Sequence, residues 1–433
     1  MLDDLLKLIK NSPRWAQSRL ARRLGFAIDE PAEEDPEPET MDHASLWTKL
    51  RVSGAQPPVR SGHASVVVNG MMYVFGGYND GNCHFDLYAF DLTHHHWTKL
   101  ENKGVVSPDG RASHAWCASA DETKLYLFGG SGPHWGQTNM GKLLQFTLAT
   151  QKWSVVTTAG THPPPGYGQS MVAIGSKLYL FGGTSGHVYV NDLFVFDQVT
   201  ATWSCAAATG TKPSPRYKHQ AVVSGDAMYI IGGGLYDPPK GPIDLFKFDA
   251  LASHWSKIEC VGDLPRSRIA HSVVLHTTSA GKATFLMFGG RDETGTRMNE
   301  LSSLDLDTST WVRLSEDSKA PDARDFHTGV MWENAMYIFG GSNGVERNSD
   351  VHRLALAFQP SPLLVLAVQA VQTHLRSNMA LQAQYRDAYL PLELRTAVQS
   401  LNPDVSIASN DQWFPLPDAN RAKQKVHPHA FCS

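Results

Sequence analysis

The chain has 433 residues, enough for two to four ordinary domains, and an apolar fraction of 42% that can build a sizeable core. Charged residues make up 18% and the net charge is −4, so no overall basic field exists to draw the protein onto nucleic acid or anionic lipid. Five cysteines, Cys83, Cys117, Cys205, Cys260 and Cys432, are scattered without a C-x-x-C pair, which implies neither a zinc site nor a disulfide framework and points to a reducing compartment.

In chain order, residues 1–28 read as a helical arm. Leu2, Leu5, Leu6 and Ile9 fall on one face, a break follows at Asn11-Ser12-Pro13, and a basic stretch runs from Arg14 to Arg23. Met1-Leu-Asp-Asp lacks the positive start of a secretory signal, so the expected location is the cytoplasm, with the nucleus also open to it. Residues 29–44 read as a disordered linker, because Asp29 to Asp42 holds eight acidic residues and three prolines.

A repeat then governs residues 45–358. Gly-Gly pairs begin at Gly76, Gly129, Gly182, Gly232, Gly289 and Gly340, spaced by 53, 53, 50, 57 and 51 residues. Each pair ends a short strand: MMYVF, KLYLF twice, AMYII, TFLMF and AMYIF. A second apolar segment follows, clearest as DLYAFD, DLFVFD and DLFKFD, and then a tryptophan: Trp97, Trp153, Trp203, Trp255 or Trp311. A further strand ahead of each pair is introduced by Arg-x-x-His, at Arg60, Arg111, Arg216, Arg268 and Arg324; the third unit has Gly166 and Gln169 instead.

Four strands in about 50 residues is the period of a kelch β-propeller blade, and residues 45–358 resemble the kelch family. The resemblance implies an all-β fold, a six-bladed propeller. Trp47 precedes the first glycine pair and no tryptophan follows VHRLAL at Val351, so Ser45 to Val52 is expected to be the fourth strand of the sixth blade, closing the ring. The glycine pairs are expected to permit turns and the tryptophans to fill the wedges between blades. The Arg-x-x-His pairs admit two readings: packing and hydrogen bonding within blades, or guanidinium groups converging on the channel mouth.

Beyond the ring, residues 359–402 read as two amphipathic helices. Leu363, Leu366, Ala367, Ala370 and Val371 share one face; a second helix begins near Pro391, carries Leu390, Leu394, Val398 and Leu401 on one side, and stops by Asn402-Pro403. Residues 403–433 read as a flexible tail. The apolar tract Leu354 to Val371 is broken by Gln359, Pro360 and Pro362, so no membrane span is expected. Docking on the propeller's underside is one reading of the helices. The other rests on their letters. Leu363, Ala367 and Val371 resemble an elongin C-binding box; Leu390, Pro391, Leu394 and Val398 resemble the cullin-2 box that follows it. Together they resemble the tail of kelch-domain-containing substrate receptors of cullin-2 ubiquitin ligases, with two departures: Ala367 replaces the usual cysteine, and 18 residues separate Val371 from Leu390. The implied partners are elongins B and C and cullin-2.

Nothing in the letters advertises catalysis. The iron pattern Glu-x-x-x-Asp-x-x-x-His is incomplete at Glu259-Asp263-Ser267 and at Glu346-Asp350-Leu354, and His94-His95-His96 sits in a turn whose side chains diverge. No cofactor, metal or catalytic residue is assigned, and a non-catalytic binding protein is expected. The resemblance implies capture of a target protein's C-terminal carboxylate, which suits guanidinium chemistry. The candidates are Arg60, Arg111, Arg216, Arg268 and Arg324 at the strand starts, Arg291 and Arg297 after the fifth glycine pair, and Tyr167, Tyr217 and Trp135 as walls. The alternative is a kelch scaffold for cytoskeletal or signalling partners with no link to a ligase.

Overall fold

Residues 46–104, 108–278, 281–314 and 319–356 are described by the structure, a computed structural model. The expected helical arm, the acidic linker and the tail with Leu363, Ala367, Val371, Leu390, Pro391, Leu394 and Val398 lie outside the described residues. All regular structure among the described residues is strand.

The first unit illustrates how a blade forms. Ala64–Val68 turns back through Asn69 and Gly70 into Met71–Phe75, with Val68 opposite Met71. Both turn residues are left-handed, at φ 49° and 74°, the geometry that matches strand twist. Leu87–Asp91 and His96–Leu100 extend the antiparallel sheet. Asp91 shapes the last hairpin, where its Oδ1 accepts the N–H groups of Thr93 and His94 at 2.8 and 2.9 Å. Asp197, Asp249 and Asp305 do the same at their turns. The aspartate that ends DLYAFD, DLFVFD and DLFKFD is therefore a turn residue.

Counting this one there are six such sheets, and the sixth draws on both ends of the repeat. It comprises Thr328–Trp332, Ala335–Phe339, Val351–Ala355 and, antiparallel to the last, Leu46–Lys49, with Trp47 opposite Leu354. The tryptophan phase had placed that strand there. The innermost strands touch one another around the ring, with Thr328–Trp332 meeting Ala64–Val68. One closed propeller thus replaces the several domains suggested by length, because each blade's faces are covered only by its neighbours.

Two repeated contacts seal neighbouring blades. The tryptophans at 47, 97, 153, 203, 255 and 311 are at most 2% exposed. Five meet the phenylalanine that precedes the previous blade's glycine pair, with ring centroids 5.0–5.7 Å apart: Trp97 on Phe339, Trp153 on Phe75, Trp203 on Phe128, Trp255 on Phe181 and Trp47 on Phe288. Trp311 packs with Ile231. Losing one such ring costs about 3–5 kcal/mol. The second glycine of each pair donates its N–H across the same seam, as in Gly77 to Arg111 O and Gly341 to Arg60 O, both 2.9 Å. At the first glycine the fit is too close for any side chain: Gly76 is left-handed, at φ 68°, and a Cβ there would lie 2.5 Å from Arg111 O.

Candidate functional site

The strand-start arginines do not reach the channel mouth. Arg60, Arg111, Arg216, Arg268 and Arg324 are at most 3% exposed. In each, Nε donates to the carbonyl two residues earlier and Nη1 to the first glycine of its own blade's pair, at 2.8–3.1 Å. Four also pair with an acid at the start of the third strand: Asp86, Asp244, Glu300 and Asp350, at 2.7–2.9 Å. The expectation that they ring the mouth is corrected accordingly. A buried guanidinium must satisfy its donors, and the blade interior supplies carbonyls and a carboxylate in the right places. Arg111 lacks the acid, since Lys142 stands at that register in blade 2, and burial pushes its guanidinium down to about 10 despite nearby Asp109.

The axis is surrounded instead by the residue two places after each arginine. Gly62, Ser113, Gly168, Lys218, Ala270 and Phe326 all have left-handed φ of 54–71°. Each N–H donates to the preceding blade's carbonyl at 2.7–3.0 Å, and Gly62 closes the circle onto Phe326. A cavity of about 250 Å³ lies along the axis, lined by these residues and by His63, His114, His219, His271 and His327. Burial and the neighbouring arginines depress these histidines; His219 and His327 are pushed down to about 3. They are neutral structural groups. His63, His219 and His327 each meet a hydroxyl of the preceding blade, at Thr328, Ser170 and Ser272. His114 finds Ala64 there and has no hydrogen-bond partner on either ring nitrogen.

Lys218 crosses the channel. Its Nζ bonds to Ser113 Oγ two blades away and lies 4.7 Å from the Phe326 ring centre. Burial pushes the ammonium down to about 7, with Asp325 pulling the other way.

Around this ring the loops after the glycine pairs build two unlike halves. On blades 1 to 4, Trp135 lies between Tyr78 and Tyr167 at 6.2 and 5.2 Å, and Tyr217 joins Tyr167 to Tyr189 at 6.2 and 5.4 Å. On blades 5 and 6, Arg291 and Arg297 flank the fully buried Asp325, at 4.0 and 3.0 Å from its oxygens. Arg291 is too far for a hydrogen bond, and Arg297 Nε at 3.0 Å makes the closer ion pair. Burial pushes the Asp325 carboxyl up, against the pull of Arg297 and Arg291. Arg347 lies over Tyr78 at 4.8 Å and donates to Ser61 Oγ.

The structure therefore brings together Tyr167, Tyr217, Trp135, Arg291 and Arg297 of the expected set and separates from them the five strand-start arginines. Sequence reasoning missed Lys218, Arg347, Tyr78, Tyr189, Asp325 and Phe326. The usable signal was positional: the second residue after each strand-start arginine lines the axial cavity, and the residue after each glycine pair bridges the first, as Arg291 does Ile269 and Ser342 does Asp325. His94, His95 and His96 go to separate neighbours, namely Asp91, the Phe90 ring and Ser53. Among the described residues no group of three or more metal-ligating side chains occurs, and there is no helix long and apolar enough to cross a membrane.

Comparison with known proteins gives the same architecture. The model of the KLHDC2/KLHL20/DRC7 Kelch-repeats domain matches residues 39–121, 105–279 and 219–361. Acyl-CoA-binding domain-containing protein 5 of Arabidopsis thaliana is 29% identical over 346 residues, covering 78% of this chain and 44% of that protein. Kelch domain-containing protein 10 of Homo sapiens is 28% identical over 321 residues, 69% of this chain and 59% of that one. Host cell factor of Drosophila melanogaster is 26% identical over 311 residues, 68% of this chain and 17% of its own length. The chain spans about half the length of the first two relatives.

Proposed function

We propose that this chain, which belongs to the KLHDC2/KLHL20/DRC7 Kelch-repeats domain family and is a kelch-propeller protein-interaction scaffold, uses its two-sided axial face to hold the C-terminal tail of a partner protein. The observation that carries the reading is the placement of Arg291, Arg297 and Arg347 beside the arc of Tyr78, Trp135, Tyr167 and Tyr217, with Arg347 over the Tyr78 ring and paired with the exposed Asp80 at 3.3 Å. A terminal carboxylate takes paired, charge-assisted hydrogen bonds from guanidinium groups, and the aromatic wall offers apolar surface to the residues before it. Arg291 and Arg297 already have Asp325 beneath them. That buried acid holds them in place without neutralising both. Peptides with a free C-terminus bind more tightly than their amidated forms, by about tenfold if one charge-assisted pair is lost. Equal affinity for the two forms overturns the carboxylate reading.

The ligase part of the proposal rests on the sequence of the tail. Leu363, Ala367 and Val371 would enter elongin C, with Leu390, Pro391, Leu394 and Val398 set for cullin-2, making the chain a substrate receptor. Co-expression with elongins B and C yields a stable complex that Leu363→Asp abolishes. A wild-type chain that ignores elongins returns the protein to the scaffold reading.

A further inference from the structure

Blade 3 keeps every partner of the strand-start arginine except the arginine. In the other blades Nε meets the carbonyl two residues earlier, Nη1 meets the first glycine, and in four of them the guanidinium meets an acid. The blade 3 counterparts are Pro164 O, Gly182 O and Asp192, and among the described residues no donor reaches either carbonyl and no side chain pairs with the acid. Asp192 stands at the same register as the paired acids, since its carbonyl accepts Gly182 N–H just as Asp86 and Asp244 accept Gly76 and Gly232. The aromatic shelf is retained as well. Arg60 and Arg216 lie 5.3 Å from the rings of Tyr88 and Phe246, and the residue in that position here is Phe194.

Where the side chain is missing there is a cavity of about 220 Å³, lined by Gly166, Gln169, Gly182, Val188, Val190 and Phe194. Val188 is 60% exposed, so the cavity has access to solvent, and Gln169 Oε1 is a buried acceptor with no partner. Apolar walls suit an alkyl stem and the Pro164 and Gly182 carbonyls suit a planar fork of donors, while the exposed Asp192 is not part of the lining but stands at the register of the paired acids. We infer that blade 3 takes from a partner protein, in trans, the arginine side chain that the other blades supply themselves. This site shares Gln169 with the axial cavity, but it takes a cation and does not depend on carboxylate capture.

N-butylguanidinium, with N-butylammonium as its control, probes the site in thermal melts and calorimetric titration of the full chain. The guanidinium compound raises the melting temperature and binds more tightly than the ammonium compound. Asp192→Asn, at an exposed and unpaired residue, weakens that binding by about tenfold. Equal response to the two compounds, or binding unchanged in Asp192→Asn, overturns the inference. Neither compound carries a carboxylate, so these outcomes leave the axial-face reading to its own test.

Discussion

Arg324→Met separates a structural from a ligand-binding role for the strand-start arginines. Arg324 donates to Asp322 O at 3.0 Å, Gly340 O at 3.0 Å, and Asp350 at 2.8 and 3.4 Å, with its side chain 1% exposed. Removing it leaves two carbonyls without their donor and takes one of three partners from a carboxylate that is only 14% exposed and keeps His352 at 3.0 Å and Lys49 at 3.5 Å, so the loss falls toward the low end for a broken buried pair. Breaking a buried pair on one side costs about 3–5 kcal/mol. Adding Asp350→Leu removes the stranded charge, so the double variant keeps only the roughly 1–3 kcal/mol cost of unsatisfied carbonyls. Urea unfolding measures both as midpoint shifts at constant slope. The pH dependence follows from the same pair. Burial pushes the Asp350 carboxyl up, but hydrogen bonds from His352 and Arg324 outweigh it and hold the group well below the usual range. Its contribution is present above the unfolded value of about 3.9 and is lost as pH falls toward the folded one, so the gap between wild type and variant narrows in acid. Affinity for carboxylate-ended peptides is unchanged in the folded variant. A loss below about 1 kcal/mol together with weakened peptide binding would refute the reasoning and return Arg324 to the mouth.

Ala64→Ser supplies His114 with the hydroxyl that Ser170, Ser272 and Thr328 give to its counterparts, and raises stability by about 1 kcal/mol in urea titration; no gain means that His114 is too constrained to use it. Lys218 has a folded value near 7, below the unfolded value of about 10.4, so the unfolded chain binds the extra proton and stability rises with pH between these values. Lys218→Met flattens that rise in denaturation curves taken from about pH 7 to about pH 10, and an unaltered pH profile would show that the ammonium is not held in the channel as described.

The sequence alone determined the ring. Gly-Gly pairs, tryptophans and the Arg-x-x-His strand starts recur because every blade must turn at the same seam and fill the same wedge, and Trp47 without a glycine pair before it showed where the ends join. Such marks are legible because a repeated packing problem has one repeated solution. The axial site was legible only in part. Tyr167, Tyr217, Arg291 and Arg297 were picked out one by one, while Lys218, Arg347 and Asp325 belong to no common motif, because residues around an axis meet only after six blades close. The direction of an arginine side chain was equally hidden: spacing placed Arg324 near a channel, but Gly340 O and Asp350, which hold it inside its blade, come beside it only when the next strands of that blade fold back. The empty socket of blade 3 shows the division most plainly. Gly166 breaks the repeat in the letters, yet only the folded blade reveals that Gly182 O, Asp192 and Phe194 still stand in the places where an arginine's partners belong. A repeat encodes which residues recur; closing the ring decides which of them meet.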